Sequence, residues 1–182
     1  LGDIDGETEI TLTNAFDITV AENVPDGESI QFTVTANDGT NDPWVTTLNI
    51  TANAPIIELN GLSYSDIGGN NNGRLDAGEV IQVMFNIDNS GHAAGENVVA
   101  SLTSSSDIVE IMEGEYTVES IEGQTYKEIS LFFAISSEAE SGNIASVDIS
   151  VSYGETVITE SLVKTVGLMM EDFESGTFAT YN

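Results

Sequence analysis

One stretch of this sequence has residue types and spacing that point to a defined chemistry: Asp66-Ile67-Gly68-Gly69-Asn70-Asn71-Asn72-Gly73-Arg74-Leu75-Asp76-Ala77-Gly78-Glu79. The chemistry is calcium chelation. Calcium takes six to eight oxygen ligands, so a loop that holds it must converge several short carboxylate and amide side chains on one point. Glycines allow the sharp turn this needs. Aligned with a loop of the D-x-[DN]-x-[DN]-G-x₅-E type, Asn70 and Asn72 fall on the third and fifth places and Gly73 on the glycine. Arg74 offers its backbone carbonyl, Leu75 is placed to anchor the loop in a core, and Asp76 takes the ninth place. Glu79 falls on the twelfth, where a bidentate carboxylate is wanted.

The first place falls on Gly68, and the nearest carboxylate, Asp66, lies two residues earlier. Either a two-residue bulge lets Asp66 reach the ion, or that ligand is water or a backbone carbonyl. The candidate metal ligands are therefore Asp66, Asn70, Asn72, Arg74, Asp76 and Glu79, with calcium as the expected cofactor in a structural role. With fewer carboxylates than a cytosolic sensor loop, the expected affinity is in the extracellular range, about 10⁻⁴ to 10⁻³ M. The competing reading is an Asn/Gly-rich turn that simply joins two strands.

Other chemistries find little purchase. His92 is the only histidine, set in the turn Ser90-Gly91-His92-Ala93-Ala94-Gly95, so a Ser-His-Asp triad would have to be built on a loop residue. There is no cysteine, which removes thiol catalysis, disulfides and cysteine-based zinc sites. Carboxylate pairs carry no specificity among 31 acidic residues, and Glu113, Glu115, Glu119 and Glu122 read as a solvated face that guards a sheet edge. A non-catalytic chain is expected. Trp44, with Phe16, Tyr64, Tyr116 and Tyr126, could line a glycan-binding or protein-binding face, although most aromatics in a sandwich of this size belong to core or edge.

The 31 Asp and Glu residues face only Arg74, Lys127 and Lys164, a formal net charge of −28. Such a surface repels phosphate backbones and anionic lipid, so neither nucleic-acid binding nor membrane insertion is expected. No apolar run is long enough to span a bilayer as a helix. The chain begins at Leu1 without an initiator Met or a signal peptide, which reads as a piece of something longer.

The elements that must position the loop are strands. Ile30, Phe32, Val34 and Ala36 alternate with polar residues, as do Ile81 to Ile87, Ile129 to Ile135 and Val147 to Tyr153. Turn signals such as Pro25-Asp26-Gly27 and Asn37-Asp38-Gly39 separate them. The expectation is an all-β fold, an immunoglobulin-like antiparallel β-sandwich. A weak internal repeat relates Phe16-Asp17-Ile18 through Gly39 to Phe133-Ala134-Ile135 through Gly154. It divides the chain into residues 1–54, the closing part of a preceding similar domain; 55–167, a sandwich with the calcium loop; and 168–182, a linker or the start of a following module.

Four runs carry a family resemblance. Gly69-Asn70-Asn71-Asn72-Gly73-Arg74-Leu75-Asp76-Ala77-Gly78-Glu79, followed by Asn86-Ile87-Asp88-Asn89-Ser90-Gly91 and Asn97-Val98, resembles the immunoglobulin-like domains of secreted Bacteroidetes proteins. These include the regions downstream of the catalytic domain in gingipain-type cysteine peptidases. The tail Glu171-Asp172-Phe173-Glu174-Ser175-Gly176 is similar to the opening of an adhesin-like jelly-roll module. The resemblance implies a secreted or cell-surface origin and a spacer or adhesion-related role. The implied partners are neighbouring domains of the parent protein and a host protein or glycan.

Overall fold

The computed structural model describes residues 4–21 and 24–167. Among them there is no helix, and all strand pairing between named strands is antiparallel. The strands are β1 (Glu28–Ala36), β2 (Trp44–Ala52), β3 (Ile57–Ser65), β4 (Val80–Asn89), β5 (Gly95–Thr103), β6 (Val109–Glu113), β7 (Glu115–Ile121), β8 (Thr125–Ile135), β9 (Ile144–Tyr153) and β10 (Thr156–Thr165). The chain separates into two compact units, which divide between Ala52 and Asn53. The expected tail at 168–182 lies outside the described residues.

In the second unit the strands form two four-stranded sheets, ordered β3-β4-β8-β6 and β10-β9-β5-β7. Strict alternation turns Ile81, Val83, Phe85 and Ile87 of β4 inward, together with Ile129, Leu131, Phe133 and Ile135 of β8. Val98, Ala100 and Leu102 of β5 and Ala145, Val147, Ile149 and Val151 of β9 meet them from the other sheet. The result is a β-sandwich whose core is one continuous aliphatic cluster with Phe85 and Phe133 among its members. Each sheet ends on an exposed edge, and Glu113 on β6 with Glu115 and Glu119 on β7 place charge along two of those edges.

The first unit is built differently. β1 and β2 pair in register as a hairpin, Ile30 opposite Ile50 and Phe32 opposite Leu48. Because directly paired residues share a face, Trp44, opposite Ala36, joins Ile30, Phe32, Val34, Leu48 and Ile50 on one apolar surface. That surface stays open: Trp44 is 61%, Leu48 51% and Ile50 36% exposed. The apolar alternation around Phe16 and Ile18 suggests a strand, but residues 4–21 form none. Alternation makes a strand only where a neighbour supplies hydrogen bonds, and within this unit no described strand pairs with that segment.

One buried polar residue fastens the sandwich near its β4–β5 turn. Asn89 is 1% exposed, and its amide satisfies four backbone groups. Oδ1 accepts from Ile56 N and Gly91 N, each at 3.1 Å, and Nδ2 donates to Ala93 O at 2.8 Å and Ile121 O at 2.9 Å. Removing it orphans two donors and two acceptors at once, each worth about 1–3 kcal/mol when buried. Asn89→Ala is expected to destabilise the second unit by on the order of 3–5 kcal/mol in urea unfolding followed by circular dichroism. A loss below about 1 kcal/mol would mean that water replaces the amide.

Candidate metal-binding loop

The segment from Asp66 to Glu79 connects β3 to β4, and its middle residue fixes its position. Leu75 is 2% exposed and belongs to the core cluster. Its backbone forms a parallel bridge with Val166, just past the end of β10, and Gly167 N donates to Leu75 O at 2.8 Å. The loop therefore ties the edge strand of one sheet to the edge strand of the other. Tyr64, at the end of β3, adds a bond from its hydroxyl to Gly73 O at 3.2 Å, while Lys164 Nζ stands 5.2 Å from its ring centroid.

With Leu75 held, the polar residues on either side fold towards each other. Glu79, 6% exposed, acts as the staple: Oε1 accepts from Asn70 N at 2.9 Å and Oε2 from Asp76 N at 3.0 Å. Asp76 Oδ2 accepts from the amides of Asn70 at 2.9 Å and Asn72 at 2.8 Å. Asn70 Oδ1 takes the N–H of Asn72 at 3.0 Å, and Asn72 Oδ1 takes that of Arg74 at 2.8 Å, two successive Asx turns. Asn71 and Gly73 both adopt left-handed backbone, φ 57° and 77°, which lets the chain reverse twice in so few residues.

Asp66 is 2% exposed, and its Oδ2 accepts from Gly73 N at 3.1 Å. The two residues in excess of the calcium-loop register are absorbed in a tight turn, closed by Gly69 N donating to Asp66 O at 2.8 Å. Gly69 has to be glycine, because a Cβ there would collide with the Glu79 carboxylate. The structure thus brings Asp66, Asn70, Asn72, Asp76 and Glu79 into one hydrogen-bonded loop. Arg74 enters it through its backbone, and its Nε is buried without a partner.

Among the described residues no group of three or more His, Cys, Asp or Glu is gathered closely enough to hold a metal ion by itself. Any cation here would draw on amide and backbone carbonyl oxygens as well as carboxylates. The hydrogen bonds leave room for that: Asp76 Oδ2 is filled by two amides, but the bonded oxygens of Asp66, Asn70, Asn72 and Glu79 each accept a single bond and keep a second lone pair. The amide donors of Asn70 and then Asn72, assisted by the charge of Arg74, hold the Asp76 carboxyl below its ordinary value. Its ionised form therefore stabilises the fold above about pH 4, and that contribution fades as pH falls towards the lowered value.

No protein-family model matches the chain, and no curated protein matches it in sequence. The residues that sequence reasoning missed are Asn89 and Gly61, the latter in a bulge of β3. Asn89 sits in a run that otherwise reads as a turn, and only its burial reveals a structural role.

The staple itself can be tested without any metal. Glu79→Ala removes two charge-assisted bonds to backbone N–H groups in a buried setting, and is expected to cost about 2–4 kcal/mol in urea unfolding carried out in chelator. Glu79→Gln, which keeps one acceptor oxygen, is expected to lose about half as much. Equal losses for the two would show that charge, and not the paired acceptor geometry, holds the loop.

Proposed function

We propose that this chain is a non-catalytic accessory segment of a secreted or cell-surface multidomain protein, a spacer or adhesion-related module of immunoglobulin-like kind. Its β3–β4 loop is proposed to hold a structural calcium ion. The observation that carries the reading is the convergence of Asp66, Asn70, Asn72, Asp76 and Glu79 around the buried Leu75. The oxygens are hard donors from short side chains and backbone, the set that calcium prefers. Held there, the ion would lock the junction between the edges of the two sheets and offset part of a net charge of −28. Parents of the gingipain type are one setting that the loop sequence suggests. The partners in this reading are neighbouring domains of the parent, with a host protein or glycan as a further contact.

A second reading, an independent binding domain, is favoured by one observation. Trp44 stands exposed on the same hairpin face as Phe32, Leu48 and Ile50, a surface suited to protein contact.

Calcium and chelator separate the first reading from a simple turn. At 100 times its dissociation constant, calcium adds about 2.7 kcal/mol to the folded state. The melting temperature of the second unit is thus expected to rise by several degrees in excess calcium over chelator, and the rise is expected to vanish in Asp76→Ala. An identical melting temperature in both conditions sinks the reading.

A further inference from the structure

We propose that the outward face of the β3–β4–β8 sheet carries a binding cleft for a short neutral saccharide. The cleft originates in a β-bulge. Between the pairs Asn60–Asn86 and Ser63–Met84, Gly61 and Leu62 of β3 stand opposite the single residue Phe85. The bulge turns on Gly61, whose φ of +68° suits glycine, and which offers no side chain to fill the space. A cleft of about 370 Å³ opens there, lined by Gly61, Ser63, Met84, Asn86, Glu128 and Ser130 among others. That volume lies within the range of small-molecule sites, roughly 300–1,000 Å³.

The lining chemistry is that of polyol recognition. Phe85 and Ile129 turn their side chains into the core, so the polar side chains alternate onto the cleft side. Ser130 Oγ already accepts from Gln82 Nε2 at 3.1 Å, and Ser63 Oγ lies 3.4 Å from Met84 O. Asn86 and Glu128 are directly paired across β4 and β8, and neither side chain hydrogen-bonds to another described residue. An amide that both donates and accepts, beside a carboxylate that accepts, matches the alternating donors and acceptors of adjacent sugar hydroxyls. Met84, two residues along β4 and opposite Ser130, supplies apolar surface for the sugar ring. Two residues along β8 on the same face, Tyr126 is 62% exposed opposite Asp88, which itself accepts from Asn60 Nδ2 at 2.8 Å. Tyr126 is outside the cleft lining, and its exposed ring would add a stacking surface beside it.

Charge narrows the ligand class. With −28 on the chain and Glu128 in the wall, an anionic polysaccharide is repelled, and a neutral one is not. The site is separate from the metal loop and does not depend on the calcium reading.

The test is titration of the full chain with cellotriose, mannotriose, maltotriose and triacetylchitotriose, followed by calorimetry or amide NMR shifts. At least one trisaccharide is expected to bind with a dissociation constant on the order of 1 mM, as suits an open cleft. Asn86→Ala and the isosteric Glu128→Gln both lie on the solvent side of the sheet. Each is expected to weaken binding about tenfold or more, with unchanged circular dichroism. Trp44→Ala is expected to leave it untouched. Absence of binding by all four sugars overturns the proposal. So does binding that survives both cleft substitutions, or binding that is lost in Trp44→Ala.

Discussion

The second unit depends on the burial of aliphatic side chains between two sheets that have no covalent cross-link. Without cysteine, no disulfide shares the task. Inward-facing residues of β4 and β8 supply one half of the core and those of β5 and β9 the other. Leu75 is the member of this cluster that comes from within the β3–β4 loop. Its burial forces the connection between β3 and β4 to cross towards β10 and not hang free. A loop so anchored pays much of its ordering entropy through packing, and its polar groups can then be arranged for binding at lower cost.

Charge sets the second constraint. Thirty-one acidic residues share a small surface, yet two of the three basic side chains, Arg74 and Lys164, lie at this loop. Arg74 helps to hold Asp76 ionised, and Lys164 rests over the ring of Tyr64, whose hydroxyl reaches Gly73 O. The loop is thus partly neutralised by its own chain before any cation arrives. Glu79 and Asp76 also spend acceptor capacity on backbone and amide donors. Both features describe a loop that is ordered in its own right, so the calcium proposed for it would add to an existing fold and not create one.

Much of this architecture was legible from residue order. The inward faces of β4, β8 and β9 follow from period-two alternation, because burial on one side of a sheet demands that pattern. Spacing placed Asn70, Asn72, Asp76 and Glu79 in one loop but left two positions open for Asp66, and only the fold shows its carboxylate turned to Gly73 N. Other features are invisible in a linear reading. Phe16 to Ile18 has the pattern of a strand and no pairing partner among the described residues, since pairing is a property of two segments and pattern of only one. Asn89 looks like turn chemistry until four backbone groups from three segments are found around its amide. The bulge at Gly61 arises from a register shift against β4, and a lone glycine in a strand is only a weak sign of it. The place of Trp44 on the apolar face of the hairpin likewise follows only from its pairing with Ala36.

Occupancy of the loop by calcium is the central claim, and Tyr64 offers a direct optical probe of it. Its hydroxyl bonds to a carbonyl inside the loop, close enough to sensitise a bound lanthanide. Terbium titrated into the protein and excited through tyrosine is expected to give saturable emission that calcium competes away. That emission should fall sharply in Tyr64→Phe, while competition by calcium persists in what remains. Emission that is absent, or that is indifferent to Tyr64 and to calcium, would contradict the account.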